Sequence, residues 1–138
     1  MIRAIIRAVR GKFSHQPTHK IKLGRQGEKL ARKFLKKQGY RLLRSNYNTT
    51  RGEIDLIMRD DNTVVFVEVK TRRSEKFATA ESAVNYRKQR HLIAAARKFI
   101  NTYRFNDHPC RFDVVAIVSP ENGKPTIRHY QNAFRPKQ

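Results

Sequence analysis

The feature that most constrains this chain is an apolar, mostly β-branched run with a carboxylate and an ammonium set into it: Val64-Val65-Phe66-Val67-Glu68-Val69-Lys70. A second such run, Glu53 to Met58, carries Asp55, and Arg59-Asp60-Asp61-Asn62 between them is polar and turn-forming. Arg51 to Arg72 therefore reads as an antiparallel hairpin. A strand period of two puts Glu53, Asp55 and Ile57 on one face of the first strand and Ile54, Leu56 and Met58 on the other. In the second strand Val64, Phe66, Glu68 and Lys70 share a face, with Val65, Val67 and Val69 opposite. The hairpin is expected to bring Asp55 beside Glu68, with Lys70 one pleat along. Charges in such surroundings are costly to desolvate without partners, and an ion pair of Glu68 with Lys70 alone satisfies them poorly.

A chain of 138 residues suits one domain around one sheet. Its 31 basic and 11 acidic residues give a net charge of +20, a field that favours polyanions, nucleic acid first and anionic membrane as the competitor. Cys110 is the only cysteine, which excludes an intrachain disulfide and a cysteine zinc cluster and fits a reducing cytoplasm, the expected location. His108 and Cys110, split by Pro109, read as an ordinary loop. No apolar run approaches the roughly 18 residues of a membrane span, and Ala4 to Val9, broken by Arg7, is too short for a signal peptide.

Along the chain, residues 1–20 form a basic arm in which Ile2, Ile5, Ile6 and Val9 fall opposite Arg3, Arg7 and Arg10, a short amphipathic helix suited to a membrane surface or to nucleic acid, or simply a frayed end. A domain over 21–131 follows. Ile21 to Gln38 has a helical stripe of Leu23, Gly27, Leu30, Ala31, Phe34 and Leu35, stopped by Gly39. Glu28 borders that stripe and is the only acid in residues 1–51; it either pairs with Arg32 at i+4 or serves a cation. Arg41 to Thr50 reads as a strand ahead of the hairpin, and residues 71–82 as a basic connector. Ala83 to Tyr103 is a second helix with Leu92, Ala95, Ala96, Phe99 and Tyr103 inward. Gln89 lines up with Ile93, Ala96 and Ile100, where a buried amide is ordinarily structural. Arg111 to Val118 reads as a buried strand and Thr126 to Tyr130 as a short edge strand. The tail, 132–138, is polar, basic and expected to be disordered. The fold class is α/β: one mixed sheet flanked by helices, in the order α-β-β-β-α-β-β.

The carboxylate pair Asp55 and Glu68 offers hard oxygen ligands suited to Mg²⁺ or Mn²⁺, with the Val69 carbonyl as a further ligand and Glu28 as a water-mediated or second-ion partner. Such an ion polarises a phosphoryl oxygen and acidifies a bound water, and Lys70 is placed to orient that water and stabilise charge at phosphorus. A salt-bridged sheet edge is the plainer alternative. Arg25 and Lys29 on the first helix, Arg72 and Arg73 after the hairpin, and Lys88 on the second helix are the expected nucleic-acid contacts.

The pattern of Asp55 followed by Glu68-Val69-Lys70 resembles the D…ExK signature of the PD-(D/E)XK, or restriction-endonuclease-like, superfamily. The blocks GRQGEKLARKFLKKQGYRLLRSNY, GEIDLI, VVFVEVKTR and RFDVVAIV together resemble the YraN-like family of predicted bacterial endonucleases over roughly Lys22 to Tyr130. The layout is also similar to that of archaeal Holliday-junction resolvases, which have a helix glutamate ahead of the Asp and ExK residues. The resemblance implies a restriction-endonuclease-like fold, metal-site acids at Glu28, Asp55 and Glu68, a catalytic lysine at Lys70, and a role for Gln89 in orienting site groups. Ile54 stands where the superfamily name has Pro, and Phe77-Ala78 where the family often has Phe-Gly. Glu53 suits a turn or a salt bridge and is left outside the core set.

Two functions follow as expectations. One is a Mg²⁺- or Mn²⁺-dependent endonuclease acting on DNA phosphodiesters in repair, recombination or processing, structure-selective or nonspecific because no base-reading motif is present. The other is a non-catalytic nucleic-acid-binding accessory protein on the same fold. DNA is the expected partner ahead of RNA, and a homodimer has only the resolvase analogy behind it.

Overall fold

The computed structural model describes residues 19–74 and 84–137. Seven elements follow in the expected order: α1 (His19–Lys37), β1 (Arg41–Asn48), β2 (Glu53–Asp60), β3 (Thr63–Arg72), α2 (Tyr86–Tyr103), β4 (Cys110–Val118) and β5 (Thr126–Phe134). The strands make one sheet in the spatial order β1-β2-β3-β4-β5. All neighbours are antiparallel except β3 and β4, which run parallel because α2 lies between them in the chain. This is an α/β sheet flanked by two helices, the restriction-endonuclease-like arrangement. Residues 1–18 and most of the 71–82 connector fall outside the described residues, and with them the expected amphipathic arm. No described helix is long and apolar enough to cross a membrane.

Each helix covers one sheet face. Ala31 and Leu35 of α1 bury against Leu56, Met58, Val65, Val67, Val115 and Ile117. On the opposite face Leu92, Ala95, Ala96 and Phe99 of α2 pack on Ile54, Ile57, Val64, Phe66, Phe112 and Val114. Helix α1 ends as its Gly39 predicts: Gly39 takes φ +97° and the Tyr40 N–H returns to the Leu35 carbonyl at 3.0 Å. Helix α2 starts at an Asn85 cap whose Oδ1 accepts from the Lys88 N–H at 2.8 Å.

The alternation in β3 is as expected, with Val64 and Phe66 under α2 and Val65 and Val67 under α1. In β2 it is not. Ile54 lies under α2 with Ile57, whereas Leu56 and Met58 lie under α1. The pairing of β2 with β3 runs only from Asp60 and Thr63 to Leu56 and Val67, so the backbone before Leu56 is released from strict pleating. Asp55 sits at that release.

The C-terminal expectation is corrected as well. β5 continues to Phe134, four residues beyond Tyr130, because Phe134 stacks on Phe112 with ring centroids 4.9 Å apart and the Asn132 N–H donates to Asp113 Oδ1 at 2.9 Å. Asn132 takes φ +52°, where the register between β4 and β5 shifts.

Candidate functional site

Glu68 lies midway along β3 on the face toward α2 and is buried. Its Oε1 faces two ammonium groups, Lys70 Nζ at 3.5 Å and Lys88 Nζ at 3.6 Å. Its Oε2 is buried and has no hydrogen-bond partner among the described residues. Burial, and next the charge of Asp55, push the Glu68 carboxyl up to about 7, against the pull of the two lysines. Asp55, across the hairpin, accepts from the Val69 N–H through Oδ2 at 2.8 Å. Burial raises its pKa, while the Val69 hydrogen bond and the charges of Lys88 and Lys70 lower it and Glu53 adds repulsion. The hairpin thus brings Asp55, Glu68 and Lys70 together, as the sequence leads one to expect.

Glu28 approaches from α1. Partial burial and then the Asp55 charge raise its carboxyl, and a side-chain hydrogen bond from Asn46 opposes them. Its placement depends on Gly27, because a Cβ there would lie 1.8 Å from Thr71 Oγ1. Only glycine lets α1 seat on β3 at this level. Gly52 does the same for the other wall: a Cβ there would lie 2.7 Å from the His91 carbonyl oxygen, so the turn ahead of β2 rests directly on the backbone of α2. Glu53, outside the core set by sequence, adds its charge to both Asp55 and Glu28.

The Gln89 amide donates to the Val84 carbonyl at 3.0 Å, a bond at the entry to α2. The α2 side chain that reaches the acids is Lys88, which the sequence assigns to nucleic-acid contact. Lysine at one position is ambiguous between these uses, and only the packing of α2 across β3 decides. Arg25 and Lys29 stay exposed on α1, and the Arg73 guanidinium donates to the Ser119 carbonyl at 3.2 Å, tying the exit of β3 to that of β4. Arg72 is exposed at the end of β3.

A second polar cluster has no counterpart in the sequence reading. Asp113, wholly buried in β4, meets Arg111 Nε at 3.0 Å, His129 Nε2 at 2.7 Å and the Asn132 N–H. Arg111 also reaches Asp60 Oδ2 at 3.2 Å and the Tyr40 hydroxyl. Its members come from four separated stretches, so no local spacing announces it. Every partner is accounted for, and it binds β5 to the sheet.

Among the described residues, no three His, Cys, Asp or Glu side chains converge into a preformed metal cage. The available donors are the Asp55 and Glu68 pair, with Glu28 further out. Mg²⁺ characteristically takes one or two carboxylates and fills its octahedron with water and substrate phosphate. The orphaned Glu68 Oε2 supplies a free oxygen of the right kind, so the residues fit such an ion.

A profile of the uncharacterised protein family UPF0102 matches residues 27–117. A UPF0102 protein of Thermodesulfovibrio yellowstonii is 45% identical over 83% of this chain and 97% of its own. The chain belongs to the UPF0102 family. Other UPF0102 relatives, from Stutzerimonas stutzeri and Syntrophomonas wolfei, are 46% and 47% identical over 80% and 81% of this chain and 92% and 96% of theirs. This is the YraN family, so the resemblance seen in the sequence holds. The UPF0102 match begins at Gly27 and ends at Ile117, so it spans Glu28, Asp55, Glu68, Lys70 and Lys88 and stops short of β5.

Proposed function

We propose that this UPF0102 protein is a metal-dependent endonuclease that hydrolyses DNA phosphodiester bonds, acting by structure or without sequence preference in repair, recombination or processing. The observation that carries the reading is Glu68: a buried carboxylate with one oxygen unpartnered among the described residues, beside Asp55 and two lysines, in a chain of net charge +20. Buried carboxylate oxygens are in the large majority paired, so the open Oε2 favours a further ligand over a salt-bridged sheet edge alone.

Asp55 and Glu68 would hold Mg²⁺ or Mn²⁺, with Glu28 joining through water. The ion supplies Lewis acidity toward a phosphoryl oxygen and a more acidic bound water. The Val69 N–H fixes the Asp55 carboxylate, so one ligand is preorganised before any ion arrives. Lys70, about a quarter exposed, stands between Glu68 and solvent, where its ammonium can face an incoming phosphate and orient the attacking water. Lys88 offsets the negative charge of the acids from the α2 side. The basic surface draws in a polyanion that the acids alone would repel.

The test is a panel of branched, flapped, single-stranded and duplex DNA incubated with the purified protein and Mg²⁺ or Mn²⁺. Cleavage that disappears in Asp55→Asn and Lys70→Ala is the expected result. If nothing is cut, or the variants cut as well as wild type, the enzyme reading fails and the accessory-protein reading takes its place.

A further inference from the structure

Helix α2 has a second functional flank. Its first turn sends Lys88 toward Glu68, while Tyr86, Arg90 and Arg97 line an open cleft of about 270 Å³ on another side. Arg51, from the turn before β2, and Arg135 and Lys137, after β5, close it. The cleft adjoins a hollow of about 360 Å³ through the shared Arg51, Ala94 and Arg97, and Lys98 extends the basic lining. Among the described residues no acidic side chain lines either hollow, and none pairs with these cations. With the Asn132 amide turned so that its oxygen faces Arg135, that oxygen accepts from Nε at 3.0 Å and Nη2 at 2.9 Å.

Tyr86 separates this track from a merely basic face. It is 57% exposed, the most open large apolar side chain among the described residues. None of the described rings stacks on it. Two cations cover it instead, Arg90 at 5.9 Å and Lys137 at 5.1 Å from the ring centroid. An exposed cation–π contact is weaker than the stacking of a base on an aromatic ring, so a base can replace the lysine. A basic track beside an open aromatic is the arrangement that holds single strands, whose bases are free to stack. In a duplex the bases are already stacked on one another.

We infer that this cleft binds a single-stranded arm of the substrate, with its phosphates on Arg51, Arg90, Arg97 and Arg135 and an unstacked base on Tyr86. That the arm belongs to a substrate rests on the nuclease reading; the binding itself does not. Because the cleft and the acids flank the same first turn of α2, a strand held in one lies next to the other, which favours flapped or branched DNA over blunt duplex.

Fluorescence anisotropy of a labelled oligothymidylate and of a blunt duplex, with the full chain in EDTA, reads this without cleavage. Tyr86→Ala, and Arg90→Ala with Arg97→Ala, should each weaken oligothymidylate binding about tenfold. Tyr86→Phe should bind as wild type does, and blunt-duplex affinity should change by no more than about twofold. Unchanged oligothymidylate affinity in the alanine variants overturns the inference, as does an equal loss on the duplex. So does a defect that shows instead on phosphatidylglycerol vesicles, which would mark a membrane face. A wild type that cuts no DNA yet binds oligothymidylate through these side chains would refute the nuclease reading and retain the cleft.

Discussion

The Val69 N–H donates to Asp55 Oδ2 at 2.8 Å, immediately beyond Leu56 and Val67, where the pairing of β2 with β3 ends. The aspartate thus substitutes for a strand carbonyl, and in the proposed site its other oxygen would meet the ion. Asp55→Asn keeps an acceptor for that N–H and should unfold within about 1 kcal/mol of wild type. Asp55→Ala leaves the N–H unpaired and should cost about 1–3 kcal/mol. Both should lose the heat of Mn²⁺ binding in calorimetry. Urea titrations beside the calorimetry separate the two roles, and an Asn variant that still binds Mn²⁺ would remove Asp55 from the metal set.

Glu68 predicts an unusual pH dependence. Burial and the Asp55 charge raise its pKa to about 7 from an ordinary 4.5, so between those values the folded state holds a proton that the unfolded state has released. Its contribution to stability therefore falls as pH rises from about 4.5 to about 7 and levels off above. Metal-free wild type should become less stable toward Glu68→Gln across that window, and Mn²⁺ affinity should rise through about pH 7 as the carboxylate ionises. Chemical denaturation in EDTA at several pH values measures the first and calorimetry the second. A flat difference between wild type and Glu68→Gln would contradict the buried, ionisable carboxyl.

Asp113 behaves in the opposite sense. Burial pushes its carboxyl up, but the hydrogen bonds from His129, Arg111 and the Asn132 N–H together outweigh it and hold it below the ordinary 3.8. Its stabilisation is complete above that ordinary value and is lost as pH falls through the lower folded one. Asp113→Ala leaves Arg111 with Asp60 and the Tyr40 hydroxyl but takes the acceptor from His129 and the Asn132 N–H, and should cost about 1–3 kcal/mol at neutral pH. Hydrogen exchange should then show β5 opening ahead of the rest of the sheet. Wild-type protection of residues 126–134 in that variant would show that β5 is held by its apolar contacts alone.

How much of this was legible in the sequence follows from the range over which each signal acts. Local period and turn chemistry sufficed for the seven elements, because the stripe of Ala31 and Leu35, the Gly39 stop and the β-branched run from Val64 to Val67 each act within a few residues. The approach of Asp55 to Glu68 was legible because one short turn joins their strands. What the sequence left unread depends on contacts distant in it. The extension of β5 needs Phe112 and Asp113 as partners, the turn of Lys88 toward Glu68 needs α2 laid across β3, and the shift of Ile54 to the α2 face needs the hairpin ladder to end at Leu56.

Gly27 offers a test of whether the seat of α1 governs the position of Glu28. A Cβ added at Gly27 would meet Thr71 Oγ1 at 1.8 Å and Thr71 Cβ at 3.0 Å, so the helix must lift or β3 must yield. Gly27→Ala should destabilise by about 1–3 kcal/mol through this overpacking, despite the better helix propensity of alanine. It should also weaken Mn²⁺ binding by moving Glu28 away from Asp55. Thr71→Ala removes the nearest atom and leaves the Cβ contact, so the double variant should recover part of both losses. Urea denaturation and Mn²⁺ calorimetry on wild type, the two single variants and the double variant give the coupling. If stability recovers and metal binding never changed, Glu28 is a neighbour of the site rather than a member of it.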